Sequence, residues 1–327
     1  FGVAAQKSRF CLRASVVEFA RGQLGPRMAV WLLCFSTALL WTEAMVALGL
    51  LDLGPSRWLS QPGSISGAVL GGLIFGAGMV LARGCPGRLL VLGATGNLRA
   101  ILSGLVFAVA AQVSLYGLVA PVRSSLAMLE VTDGANPQVI AMAGLPEIAS
   151  VWVGIAFTLG ALWLARRNRV SARLLVFGSG VGFAAAAGWL VTYRLSGIAF
   201  DPVPVESLTF SGPSADSLMF VLLPDRAIDF DIGLVPGVFL GAFLAAWWGR
   251  ELKFQGFENE INMRKAMIGA AMMGFGGMLA GGCAIGAGVT GGAIFAGTAW
   301  MALLCMWIGA VATDFLVEQR APAGRPA

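Results

Sequence analysis

The chain has 327 residues, of which 57% are hydrophobic and 12% charged, with a net charge of +5; a soluble domain carries about twice that charged fraction, so water is not the main solvent here. A basic balance can signal a nucleic-acid partner, but eighteen of the 22 Lys and Arg fall in alternate connections between apolar runs, which assigns them to membrane topology and not to nucleic acid. Histidine is absent, which excludes His-ligated zinc, haem and copper sites and any histidine proton relay; no cofactor or metal is expected.

In chain order, Phe1 to Ala5 reads as the last turn of a helix, and the sequence is expected to be truncated at this end. Apolar runs long enough to cross a bilayer follow near 28–50, 66–82, 98–120, 151–165, 174–193, 232–249, 266–282 and 297–317. Together these predict an all-α integral membrane protein of about nine transmembrane helices. Residues 1–327 are read as a single transport domain with pseudo-symmetric halves near 1–150 and 151–327.

Five Lys and Arg lie within 7–27, three within 83–99, four within 166–173, four within 250–265 and two after Phe315. Asp201, Glu206, Asp216, Asp225, Asp229 and Asp231 crowd the stretch 195–231 instead, opposed by Arg194 and Arg226. Basic residues stay cytoplasmic during insertion. The reading is therefore a bacterial inner-membrane protein with its N-terminus outside and its C-terminus in the cytoplasm. The acidic stretch, with Pro202, Pro204, Pro213 and Pro224, is expected outside as short surface helices.

Two segments, 86–96 and 284–297, are too short and too Gly-rich to span, and each follows a helix ending in Cys. Pro86 marks a helix start. Phe75 to Cys85 reads FGAGMVLARGC and Phe275 to Cys283 reads FGGMLAGGC, both closing on Leu-Ala-x-Gly-Cys. Charge-derived topology runs these two spans in opposite directions. The repeat is therefore inverted, an arrangement of transporters whose sites lie where the repeats meet.

A half-helix beginning at membrane depth directs unpaired N–H groups and a positive dipole end into a cavity, which favours an anion. Cysteine adds a soft, weak donor suited to sulfur. Cys85 and Cys283, with Gly84 and Gly282 before them, are the principal candidates; Cys11 has a partial motif, and Arg83 and Arg88 are placed to attract the anion. Cys34 and Cys305, mid-span with no glycine frame, read as packing residues.

The strings GMVLARGC at 78–85, GMLAGGCAIGAGVTGG at 277–292 and SRFCLRA near the start resemble the YeeE/YedE family of sulfur-transport membrane proteins along essentially the whole chain. That resemblance implies thiosulfate uptake, with three path cysteines falling on Cys11, Cys85 and Cys283. Arg83 and Pro86 depart from the family pattern, and some members are associated with selenium or other sulfur species.

Glu43, inside a span, is a further candidate, since intramembrane carboxylates are costly and usually functional. Gln112 is read as an interhelical hydrogen-bonding residue. Met267, Met272, Met273 and Met278 are apolar filler and not a copper site, and GAGVTGG lacks the Lys and strand of a phosphate loop. The competing readings are a thiol or persulfide-transfer oxidoreductase, disfavoured by the absence of a C-x-x-C pair and of exterior cysteines, and a subunit of a larger sulfur-handling complex. The loop 250–265 is placed to dock a soluble cytoplasmic sulfur carrier.

Overall fold

The computed structural model describes residues 1–146, 148–200, 202–223, 229–256 and 259–319. Asp201, Pro224, Asp225, Arg226, Arg320 and Arg325 lie outside them. The regular structure of the described residues is helical. It runs α1 (Gly2–Ser8), α2 (Leu12–Ala20), α3 (Pro26–Ala47), α4 (Arg57–Ser60), α5 (Ile65–Leu81), α6 (Pro86–Ala94), α7 (Leu98–Tyr116) and α8 (Ala120–Ala127). It continues with α9 (Val139–Met142), α10 (Ile148–Arg167), α11 (Ala172–Ser196), α12 (Ser211–Leu222), α13 (Phe230–Trp248), α14 (Glu260–Leu279) and α15 (Gly297–Thr313), with wide π turns at Gly286–Gly291 and Asp314–Gln319.

Among the described residues, seven helical stretches are long and apolar enough to cross a bilayer. They make this a multi-pass membrane protein, and the outward faces of α10, α11, α13 and α15, with Trp152, Trp163, Val176, Leu240 and Leu304 exposed, suit lipid. Helix α14 matches the spans in length but carries Glu260, Arg264 and Lys265 in its first turns. Helix starts are fixed locally: Pro26 and Pro86 occupy first-turn positions, and Ser64, Asn97 and Asp229 accept hydrogen bonds from the amides of Gly67, Ala100 and Ile232. These caps satisfy donors that a helix leaves open.

Glycine brings the central helices into backbone contact. On α5 and α14, Gly71 meets Gly276 and Gly78 meets Gly269, so the two helices are antiparallel. Gly76 lies against Met306 and Ala310 of α15, and Gly274 lies against Phe107 and Ala111 of α7.

Three expectations need correction. The segment 284–297 is not a regular half-helix: the amides of Val289 and Thr290 both donate to the Ile285 carbonyl, which widens the turn, and Thr290 Oγ1 is held by the Leu208 carbonyl. The acidic stretch does not stay at the surface, because Val205, Leu208 and Phe210 are buried in the core. Helix α12 does lie in that stretch, as expected, but its first residues are buried as well. Gln112 Oε1 is buried with no donor in reach among the described residues, so the hydrogen bond expected of it is not made through that oxygen.

Candidate functional site

Each candidate cysteine stands two residues after a left-handed turn. Arg9 (φ 53°), Arg83 (φ 57°) and Gly281 (φ 77°) precede Cys11, Cys85 and Cys283. At Cys85 the turn closes α5: Arg83 N donates to Val80 O at 3.1 Å and Gly84 N to Met79 O at 3.1 Å. These bonds occupy the carbonyl end of α5. The amide end of α6 then begins at Cys85 itself, so the thiol stands beside open N–H groups and not beside open carbonyls. Arg83, a left-handed non-glycine, thus shapes the turn, while a Cβ at Gly84 would make only ordinary contacts, at 3.5 Å from Arg88.

Cys283 is buried, and its sulfur accepts from the amides of Phe210 at 3.3 Å and Gly286 at 3.4 Å, with Thr209 Oγ1 at 3.9 Å. The corresponding amide at Cys85, that of Arg88, acts on the thiol but falls outside hydrogen-bond geometry. Cys85 is as buried as Cys283; Cys11 is partly exposed. All three thiols belong to one neighbourhood, since Cys85 interacts electrostatically with both Cys11 and Cys283. Arg88 interacts with both Cys11 and Cys85, and its Nη1 is buried without a hydrogen-bond partner among the described residues.

Phe210 and Ile285 fill the space between Cys283 and the start of α6, for a Cβ at Gly87 would lie 2.7 Å from Ile285 Cδ1 and 3.2 Å from the Phe210 ring. Gly282 sits under Trp58, 3.1 Å from where its Cβ would be. Beside the turn before Cys283 opens a cavity of about 500 Å³, lined among others by Arg57, Trp58, Arg123, Glu206, Thr209 and Gly281, with the thiol itself outside its wall. Arg57 Nη2 donates to the Gly281 carbonyl at 2.9 Å, fixing the turn before Cys283 from the cavity side. Burial pushes Glu206 up to about 7; Arg57 opposes this, and Asp229 and Asp216 reinforce it.

Cys34 and Cys305 stand apart, at helix crossings. A Cβ at Gly182 would overlap the Cys34 carbonyl, and one at Gly72 would lie 2.8 Å from Cys305 Cβ. Glu43 lies near the end of α3 and lines a second cavity with Asp52 and Gln138. In the loop 250–265, whose residues 257 and 258 are outside the described ones, Glu251 is tied to Lys7 at 3.2 Å and to Gln6 at 3.0 Å. Met267 is exposed and Met273 is fully buried, so these two methionines face different surroundings.

Sequence reasoning missed Arg57, Glu206, Thr209 and Phe210. The available signal was the apolar pair Leu208 and Phe210 within an otherwise acidic, proline-rich stretch.

Residues 7–312 match a family described as sulphur transport. The thiosulfate transporter TsuA of Escherichia coli K12 is 28% identical, over 98% of this chain and 92% of that protein. The thiosulfate transporter TsuA of Spirochaeta thermophila is 26% identical, over 94% of this chain and 93% of that protein. Both relatives are named as transporters and neither as an enzyme.

Proposed function

This chain belongs to the sulphur-transport family, and from that premise we propose that it imports thiosulfate, handing the anion inward from Cys283 to Cys85 to Cys11. The observation that carries the reading is Cys283: a buried thiol whose sulfur already faces two backbone amides, two residues from Gly281 in the wall of a 500 Å³ cavity. An anion arriving there would meet N–H donors and a soft sulfur together. Each such contact contributes about 1 kcal/mol, enough to select the ion and little enough to release it to the next site. No covalent step is needed. Arg88, facing both remaining thiols, supplies the inner positive charge.

The inverted relation of the two halves is part of this proposal. When Cys85 is set on Cys283, Gly71 corresponds to Gly269 and Gly78 to Gly276. The observed contacts, Gly71 with Gly276 and Gly78 with Gly269, are the exchanged pairs that a two-fold axis requires. Gly76 against α15 and Gly274 against α7 repeat the exchange at the next helices. With α14 and the α1 unit counted, the crossings number about nine.

The acidic stretch outside, the basic loops inside a bacterial inner membrane, and a soluble sulfur carrier docking at the loop 250–265 complete the proposal. A membrane-impermeant thiol reagent applied to cells should label Cys introduced at the exposed Ile198 and leave Cys introduced at Arg167 unlabelled; equal labelling would remove the orientation.

The deciding experiment is thiosulfate uptake by cells lacking their own system. Expression of this chain should restore it. Arg88→Gln should raise the half-saturating concentration about tenfold, the equivalent of about 1.4 kcal/mol. Restored uptake of sulfite or selenite but not thiosulfate would reassign the substrate.

A further inference from the structure

A cavity that admits a doubly charged anion should not be lined with carboxylates, yet this one is. Glu206, Asp216 and Asp231 line it, with Arg57 and Arg123 as the opposing charges; Asp229 also acts on Glu206. Arg57 comes from α4, Arg123 from α8, Asp216 from α12, Asp231 from α13 and Asp229 from its cap. With every group ionised, the carboxylates outnumber the guanidiniums and the cavity repels thiosulfate.

Glu206 cannot withdraw to relieve this. Its amide accepts nothing and donates to Thr192 Oγ1 at 3.1 Å, while its carbonyl accepts from the same hydroxyl at 2.6 Å. Next to it, Ser207 Oγ donates to the Ala185 carbonyl at 2.5 Å, and Thr290 Oγ1 donates to the Leu208 carbonyl at 2.6 Å. The segment that presents Glu206 to the cavity is thus clamped to α11 on one side and to the π turn after Cys283 on the other. Phe210, four residues on, donates to the Cys283 sulfur. The backbone that carries the carboxyl is therefore held at a fixed place in the cavity wall, four residues from the amide that bonds the thiol.

We propose that Glu206 is protonated as the anion enters the cavity, so that thiosulfate is taken up together with a proton. The inference rests on the thiosulfate reading and the orientation given above. Protonation removes one negative charge from the entrance, and anion binding in turn favours the protonated form, because the linkage is reciprocal. The burial that already holds Glu206 near 7 places the exchange in the neutral range. The sign follows: below about 7 the group is neutral and the anion is favoured, and above it the carboxylate repels. With no histidine in the chain, a displaced carboxylate is the natural source of a dependence on pH in this range. Moving a proton with the anion also offsets part of the opposition from an inside-negative membrane potential.

The test uses the full chain in liposomes. Exchange of labelled for unlabelled thiosulfate is measured at limiting concentration and varied pH, and a pH-sensitive dye inside reports net uptake. Wild-type exchange should fall about tenfold from about pH 6 to about pH 8, and external thiosulfate should acidify the interior. Glu206→Gln, a permanently neutral mimic, should exceed wild type at about pH 8 and show a shallower slope than wild type, the remainder belonging to Asp231 in the same cavity; Glu206→Asp should restore the full slope. A flat wild-type profile, a Gln variant with the wild-type slope, or a folded Gln variant inactive at every pH would overturn the proposal while leaving thiosulfate transport intact. No wild-type exchange at any pH would instead defeat the functional reading itself.

Discussion

Cys283→Ser and Cys85→Ser are each expected to lower thiosulfate uptake by about a hundredfold, a loss of about 2.7 kcal/mol in the rate-determining step, with normal amounts of protein in the membrane. Serine is nearly isosteric with cysteine, so the buried positions should accommodate it. What changes is the donor. A hydroxyl is harder and more strongly polar, and at Cys283 it would hold the amides of Phe210 and Gly286 more tightly than sulfur does. The amides that an incoming anion needs would then be occupied. Cys11→Ser should have a smaller effect, since that thiol is partly exposed and lacks the glycine frame. Cys34→Ser and Cys305→Ser, at helix crossings away from the proposed path, should transport as wild type. Initial uptake rates normalised to membrane protein measure all five. Wild-type uptake by a well-folded Cys85/Cys283 double variant would leave a Gly-rich anion pore with no role for the thiols.

Gly76→Val should prevent stable assembly altogether. A Cβ there overlaps the Met306 carbonyl oxygen and comes within 2.9 Å of the Ala310 amide nitrogen. Both are backbone atoms, so no rotamer change relieves the clash and α5 must move off α15. Overpacking of this kind costs about 1–3 kcal/mol even where side chains can yield, and here the displaced element is a central helix. Gly104→Ala, on α7 with nothing within 4 Å of the added Cβ, is the matched control. Thermal unfolding in detergent should show Gly76→Val melting far below wild type or failing to accumulate, and Gly104→Ala unchanged. A Gly76→Val protein of wild-type stability would contradict the close helix contact.

Much of this was legible beforehand because two signals are local. Apolar runs and alternating charge located the helices, and Leu-Ala-x-Gly-Cys marked both principal thiols. Even the left-handed turns had a trace, in the Arg or Gly two residues before each cysteine. What could not be read were long-range meetings. Nothing in the composition of the stretch 202–210 says that Phe210 will bond a sulfur 73 residues away, or that Arg57 will cap the carbonyl of Gly281. Arg83 and Arg88 looked equivalent around Cys85, yet one forms the left-handed turn and the other faces two thiols. The irregular turn after Cys283 was equally hidden, because it depends on Thr290 being held by the carbonyl of the distant Leu208.

The glycine contacts also bear on how such a protein can move. In a carrier working by alternating access, one half rocks against the other and the site changes the side to which it opens. Here the would-be sliding surfaces are backbones touching at Gly71 and Gly276, at Gly78 and Gly269, and at Gly76 and Met306. Rocking would break many of these contacts at once and open voids that lipid cannot fill, whereas close-packed interfaces resist continuous deformation. The parts free to respond on a small energy scale are side chains, since even the segment from Glu206 to Phe210 is held to α11, Thr290 and Cys283. An architecture of this kind favours a stationary frame through which an ion hops, with throughput set by how quickly thiols and ring rotamers relax.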